Sequence, residues 1–366
     1  MIISTYMQKR GSMTNLATSS EIVISNEQSL LAIAGQVANG YASGSVFIDY
    51  QQRKSANTLR RQAADLQLFT GYLADAGIST GKFLHDPAAW EGMTWGLVEG
   101  FVRWQLEHGY AIGSVNVRLA TVKNYAKLAM KAGSITTAEY ALIMTVKGYG
   151  YKEGRNIDAK RSEKSMETRR GAKKAFPVTL TAQQASMLIN QPDSPQGRRD
   201  ALLMALLLDH GLRVGEVALI SVTDFDLHNR ELKFYRPKVD KVQTHKFTSR
   251  TFDAAKRYFE HDVPPSDSVW RASASKADGR ECAGKLTTQG FSERAITKRV
   301  ETLGRGIGVE GLSAHDCRHH WATQAARSGT AIDRLQDAGG WSSPVMPLRY
   351  VESAKIANEG VKLVEF

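Results

Sequence analysis

Residues able to carry one reaction are scattered over the C-terminal half of this 366-residue chain. Arg213 lies in Gly211-Leu-Arg213-Val-Gly-Glu216, and Arg318 lies in His315-Asp-Cys-Arg318-His-His. Two guanidiniums can clamp the non-bridging oxygens of a phosphodiester and take the charge that a metal would otherwise neutralise. A lysine or histidine must then protonate the leaving oxygen, and a hydroxyl nucleophile must lose its proton nearby. His315, a lysine in the expected sheet, and Tyr350 complete that set. At positions i and i+3 of a helix, His315 and Arg318 face the same side and can reach one phosphate together. Taken singly, each has a plain explanation. An Arg after a helix-ending Gly is usually a surface charge, a His-x-x-Arg pair recurs by chance, and a Tyr near a C-terminus is normally packing. Other chemistries lack their patterns: the chain has no H-E-x-x-H, C-x-x-C, G-x-x-x-x-G-K-[ST] or G-x-S-x-G. His315, His319 and His320 could suggest a metal, but adjacent histidines on a helix diverge and no carboxylate pattern supports them. The chemistry so read needs no metal and no other cofactor.

The elements that must position these residues follow from periodicity. Arg199–His210 reads as a buried apolar helix ended by Gly211. Strand character follows at Ser221–Leu227, Glu231–Arg236 and Val242–Ser249, with turns at His228-Asn229 and Val239-Asp240. Helices with loops continue to the C-terminus, including an apolar-periodic stretch over Phe291–Leu303. The unit opens near Pro177, with Thr181 as a helix cap. Upstream, Thr58–Ala76 and Trp95–His108 carry apolar residues at helical spacing. Ser114 is expected to cap a third helix to Lys131, and Thr137 a shorter fourth. Arg60, Arg61, Arg118, Lys123 and Lys127 fall on the polar faces of these helices, where charge is ordinarily just solvated and DNA contact is the functional alternative. The fold class expected is mainly α with a small antiparallel β-sheet.

Composition sets the frame. With 42% apolar and 23% charged residues the chain can bury a core in each of two domains. No stretch approaches the length of a membrane span, and the N-terminus lacks the apolar core of a secretory signal. Cys282 and Cys317 cannot make a disulfide framework, which fits a reducing intracellular compartment. The net charge of +11 points to a polyanionic partner, nucleic acid foremost. The excess is concentrated: Lys152 to Lys174 holds nine basic and four acidic residues. That segment has no apolar periodicity and reads as a solvated linker, or as a strap against a phosphate backbone. The expected organisation is a weakly ordered segment over 1–44, with one helix around Gln28–Val37, then a helical DNA-binding domain over 45–151. A basic linker over 152–176, a catalytic domain over 177–352 and a tail over 353–366 complete it.

The boxes resemble those of the tyrosine recombinases, also called the phage-integrase or lambda-integrase family. Gly211-Leu-Arg213 with Glu216 resembles the first arginine box, and Ser313-Ala-His315-Asp-Cys-Arg318-His319 with Trp321-Ala-Thr323 the second. Gly339-Gly-Trp341-Ser-Ser and Leu348-Arg-Tyr350 resemble the end of the domain. The likeness covers about Pro177 to Glu352, and more weakly the core-binding domain from about Ser45 to Tyr149. It implies Tyr350 as the nucleophile that forms a 3′-phosphotyrosyl bond, with Arg213 and Arg318 holding the scissile phosphate and Glu216 bracing the first arginine. It implies His315 as base or phosphate ligand. Trp341 stands where many members carry histidine; its indole can donate a hydrogen bond but cannot shuttle a proton. The family's lysine protonates the leaving oxygen from a β-hairpin turn, with Lys238 favoured over Lys241. Cys317 and His320 read as packing or as support behind the site residues. The resemblance further implies a site-specific recombinase that cuts and rejoins double-stranded DNA at a specific site without metal or ATP. It would clamp the duplex between two domains and work as a homotetramer on two synapsed duplexes, its tail docking on a neighbour. An accessory DNA-bending protein fits the same picture, as does a cytoplasmic, nucleoid-associated place in a bacterial or phage system with no membrane. A type IB topoisomerase, or a non-catalytic DNA-binding protein on the same fold, are the alternatives.

Overall fold

The computed structural model describes residues 30–171, 174, 176–262, 268–274 and 285–354. The chain divides into two compact units, Met1–Lys173 and Lys174–Phe366.

The first unit is all helical among the described residues: α1 (Leu30–Gln52), α2 (Ala56–Asp75), α3 (Trp95–Glu107), α4 (Ile112–Ala132), α5 (Thr137–Thr145) and α6 (Tyr151–Glu163). Short polar side chains start several of them. The Ser55, Thr94 and Thr136 hydroxyls accept from the backbone N–H three residues on, the usual remedy for the unpaired donors of a first turn. α4 differs from expectation, since its cap is Ala111 without a side-chain bond and Ser114 lies inside the helix. The apolar stripes meet in an aromatic core. Phe69 and Phe101 pack edge to face at 5.0 Å, and buried Trp90 donates its indole N–H to the Phe83 carbonyl.

Two expectations fail in this unit. The helix expected around Gln28–Val37 is present as α1, but it runs on to Gln52, through the expected boundary at 45; residues 1–29 lie outside the described residues. The stretch expected as a solvated linker over 152–176 begins as α6. Buried Arg161 holds it in place by donating to the carbonyls of Tyr110 (3.2 Å) and Glu167 (2.6 Å), while Arg170 N–H bonds the Gly109 carbonyl. These docking contacts are polar, so a search for apolar periodicity cannot see them.

The second unit runs α7 (Ala182–Ile189), α8 (Pro195–Asp209), α9 (Val214–Ala218), β1 (Phe225–Asp226), β2 (Glu231–Arg236), β3 (Lys241–Lys246) and α10 (Ser249–His261). It continues with β4 (Arg271–Ser273), β5 (Leu286–Gly290), α11 (Glu293–Gly306), α12 (Ala314–Arg327), α13 (Ile332–Gly339) and α14 (Val345–Ala354). Thr181 caps α7 as expected. The central element is α8, whose Ala201–Leu208 run is buried on every side. Its neighbours include α7, α10 and α12, so it reads as continuously apolar rather than striped. β1, β2 and β3 form an antiparallel sheet in that order, with Arg236 opposite Lys241 at the turn. A second antiparallel pair, β4 with β5, was not expected, its strands being short and poor in β-branched residues. The 353–366 tail lies outside the described residues beyond 354.

Candidate active site

Arg213, Arg318, Trp341 and Tyr350 come together in the second unit from four helices or their flanks. Gly211 ends α8 with a φ of +60°, and a Cβ there would overlap the Trp321 ring. This tight turn leaves the Gly211 carbonyl free to accept from Arg318 Nη1 at 2.5 Å. Arg213 is the residue before α9. Glu216, one turn on, accepts from the Arg213 backbone N–H (2.8 Å) and its Nη1 (2.6 Å), so one carboxylate both caps the helix and aims the guanidinium. Glu216 is buried and also takes Arg236 Nη1 on both oxygens, at 3.0 and 2.9 Å. One carboxylate thus joins Arg213 to a second arginine.

Arg318 sits on α12, whose start is fixed by a Ser313–Asp316 capping box. Asp316 in turn pairs with Lys174 (2.6 Å) and accepts the Val178 N–H (2.9 Å). The Arg318 guanidinium is buried, donates Nη2 to the Gly339 carbonyl at 2.5 Å, and lies 4.4 Å from the centre of the Trp341 ring. Each terminal nitrogen gives one N–H to a carbonyl and keeps another for a ligand. Burial first, then the like charge of Arg213, lowers its pKa to about 9, which leaves it cationic at pH 7.

Tyr350, on α14, is 5% exposed. Its ring lies 5.6 Å from Trp341 and edge-on to His319 at 5.1 Å. Burial holds the phenol above the ordinary tyrosine range, against the pull of Arg318, Arg213 and Arg349, so it is protonated at neutral pH. The His319 imidazole packs on Tyr350, a contact the sequence reading did not assign to it. His315 is exposed one turn earlier on α12, close enough for its charge to depress the His319 pKa further after burial. Cys317 is fully buried, as expected of a packing residue, and burial pushes its thiol far up.

The two candidate lysines separate. Lys241 pairs with Asp337 at 3.0 Å, whereas Lys238 stands exposed in the β2–β3 turn, where Asp240 takes a φ of +49°. In the first unit the five candidate DNA-contacting residues also separate. Arg61 binds Asp65 (2.5 Å) and Thr121 (3.1 Å), and Arg118 binds Gln105 (3.2 Å) over the Tyr110 ring. Lys123 donates to the carbonyls of Met144 (2.9 Å) and Val146. Arg60 and Lys127 remain exposed, Arg60 with a local bond to Asn57. Lys127 joins Arg53 and Lys131 along an open groove of about 880 Å³ between α1 and α4. Arg236, completely buried, is the residue that sequence reasoning missed. The alternation of β2, with Leu232, Phe234 and Arg236 all turned inward, was the signal that could have found it.

No helix among the described residues is long and apolar enough to cross a membrane. Residues 178–356 match the model of the phage integrase family. The tyrosine recombinase XerC of Roseiflexus castenholzii is 24% identical over 301 residues, covering 80% of this chain and 82% of that protein. The tyrosine recombinase XerA of Thermococcus kodakarensis is 26% identical over 269 residues, covering 72% and 88%. Among solved structures, the Tn1549 transposon integrase in complex with a circular intermediate DNA superposes with a TM-score of 0.57 at 14% identity, covering 84% of this chain and 94% of that one. A lambda integrase dimer bound to a COC′ core site gives 0.54 at 15% identity, covering 89% and 97%. At these identities the superpositions speak for the fold.

Proposed function

From a chain that belongs to the phage integrase family of tyrosine recombinases, we propose that it cuts and rejoins DNA at a specific site through a 3′-phosphotyrosyl intermediate. The observation that carries this reading is the convergence of Arg213, Arg318, Trp341 and a buried tyrosine on one place, with both guanidiniums within electrostatic reach of the Tyr350 phenol. The scissile phosphate would lie on Arg213 and Arg318, with the Trp341 indole N–H as a third donor. Tyr350 Oη attacks phosphorus, the bond to the 5′-oxygen breaks, and the phenol proton passes to a base. Lys238 gives a proton to the departing 5′-oxygen. His315, exposed one turn before Arg318 on α12, would meet the DNA as base or phosphate ligand, and His319 would buttress the phenol ring. Rejoining reverses these steps on a new 5′-hydroxyl, so the phosphodiester energy is conserved without ATP. Of the five first-unit candidates, Arg60 and Lys127 are left available to duplex phosphates, and assembly as a tetramer on two duplexes follows the family pattern.

A covalent-trapping assay tests this reading. Nicked duplexes from the DNA flanking the gene are incubated with wild type and with Tyr350→Phe, in EDTA and without ATP. A DNA-shifted protein band on a denaturing gel is expected for wild type alone. Exchange between two duplexes, rather than relaxation of a supercoiled circle alone, separates a recombinase from a type IB topoisomerase. Absence of the band despite salt-sensitive binding of the same DNA would overturn the enzymatic reading in favour of a binding protein.

A further inference from the structure

We infer that Arg236 is a positioning residue for strand cleavage: it locks the turn that carries Trp341 onto the carboxylate that holds Arg213, without itself meeting the phosphate. The inference rests on the recombinase reading above.

A fully buried guanidinium is expensive, and an apolar side chain of similar volume often serves stability as well or better. Its retention here calls for a geometric reason, and its partners supply one. Nη1 donates to both Glu216 oxygens and to the Gly339 carbonyl at 3.3 Å, Nη2 donates to the Ala338 carbonyl at 2.6 Å, and Nε donates to Gln243. Ala338 and Gly339 close α13, where the last carbonyls have no partner within the helix and where a cation is favoured by the dipole. The same hairpin reaches that helix end twice more, through Gln243 to the Asp337 carbonyl (2.8 Å) and through Lys241 to the Asp337 carboxylate. The next residue, Gly340, has a φ of +57°, and a Cβ on it would come 2.6 Å from Arg236 Cδ. The backbone leading into Trp341 is therefore packed on the arginine shaft. On its other side, Glu216 caps α9 and holds Arg213. Two of the groups assigned to the phosphate thus share one buried fork. A lysine has no planar fork and cannot span the carboxylate and both carbonyls at once.

The test compares wild type, Arg236→Met and Arg236→Lys on nicked duplexes with either an ordinary 5′-oxygen or a bridging 5′-sulfur as leaving atom. Sulfur leaves without protonation, so it restores a defect in the acid but not one in phosphate alignment. Affinity for uncleaved DNA and the indole N–H resonance of Trp341, identified by its loss in Trp341→Phe, are measured alongside. Arg236→Met is expected to slow adduct formation about 100-fold with both leaving atoms. Its DNA affinity should stay within about threefold of wild type, with a displaced Trp341 resonance and an intermediate rate for Arg236→Lys. Cleavage within about threefold of wild type, recovery by sulfur, or an unmoved Trp341 resonance overturns the inference. Should Arg236→Met not fold, Arg236→Lys carries the same criteria, because it keeps the buried charge beside Glu216. If wild type forms no adduct at all while the Trp341 resonance still moves in the variants, the recombinase reading falls and the Arg236 lock stands.

Discussion

In each unit two arginines share one carboxylate, and the two arrangements are put to different ends. In the first unit Arg61 and Arg118 flank Asp65, with Thr121 completing a bridge between α2 and α4. In the second unit Arg213 and Arg236 flank Glu216. The difference is a third guanidinium. Arg318 stands beside the second group and is held by the Gly211 and Gly339 carbonyls and by the Trp341 face, with no carboxylate hydrogen-bonded to it among the described residues, although Glu216 acts on it through space. Its charge is left for a ligand to balance. Two arginines against one acid tie helices together in both units; a third, held by neutral dipoles, adds the positive charge that an anion can meet.

Removing that third guanidinium should have the largest effect. Arg318→Ala is expected to lower the single-turnover rate of covalent adduct formation by about 10³-fold, while Arg61→Ala leaves the rate unchanged; equal losses would erase the distinction. The cores test the same division through stability. Phe69→Ala, at a fully buried ring, should cost the first unit about 3–5 kcal/mol, read as a shift of the first of two denaturation transitions with the second in place.

Acid should act on the second unit in particular. Burial holds His210 down at about 4 and His245 at about 3, their rings stacked 5.6 Å apart. Both folded values lie below the unfolded one, so between that value and the folded pKa the unfolded chain binds more protons, and stability falls as pH falls. From pH 7 to pH 5, His210 should account for a loss of about 2 kcal/mol. His210→Asn should flatten the dependence of the second transition on pH, and a slope unaltered by that change would count against the assignment. The smallest effect concerns DNA contact. Lys127→Ala should reduce the slope of log affinity against log salt by about one, while Lys123→Ala, whose ammonium is already spent on the Met144 and Val146 carbonyls, should leave it alone.

Where apolar side chains do the positioning, the sequence was readable. α2 and α3 fall within two residues of the stretches marked by their apolar stripes, and β2 matches its expected range residue for residue. The convergence of several candidate site residues was legible for a related reason. A clamp for a phosphate needs particular side chains at particular turns, and Gly211, Arg213 and Glu216 show that local logic within six positions. Polar positioning was not legible. α6 is held by Arg161 reaching carbonyls up to 51 residues away, and a lysine- and arginine-rich segment gives no sign of such partners. Arg236 passed as one more basic residue near a hairpin turn because its partners, Ala338 and Gly339, come a hundred residues later. The His319 contact was hidden by His315, since both lie on the same helix and spacing alone does not say which ring Tyr350 meets.

Of the six tryptophans, Trp321 and Trp341 stack at 6.0 Å, and the Arg318 guanidinium lies near both rings. A cation over an indole alters its excited state, so the fluorescence of this pair is set by where the guanidinium rests. When a phosphate draws Arg318 toward itself, the emission should change before any bond is cut. Loading of the site then becomes visible without a label, and the Tyr350→Phe protein, which keeps Arg318 and both indoles, should show it as well as wild type does.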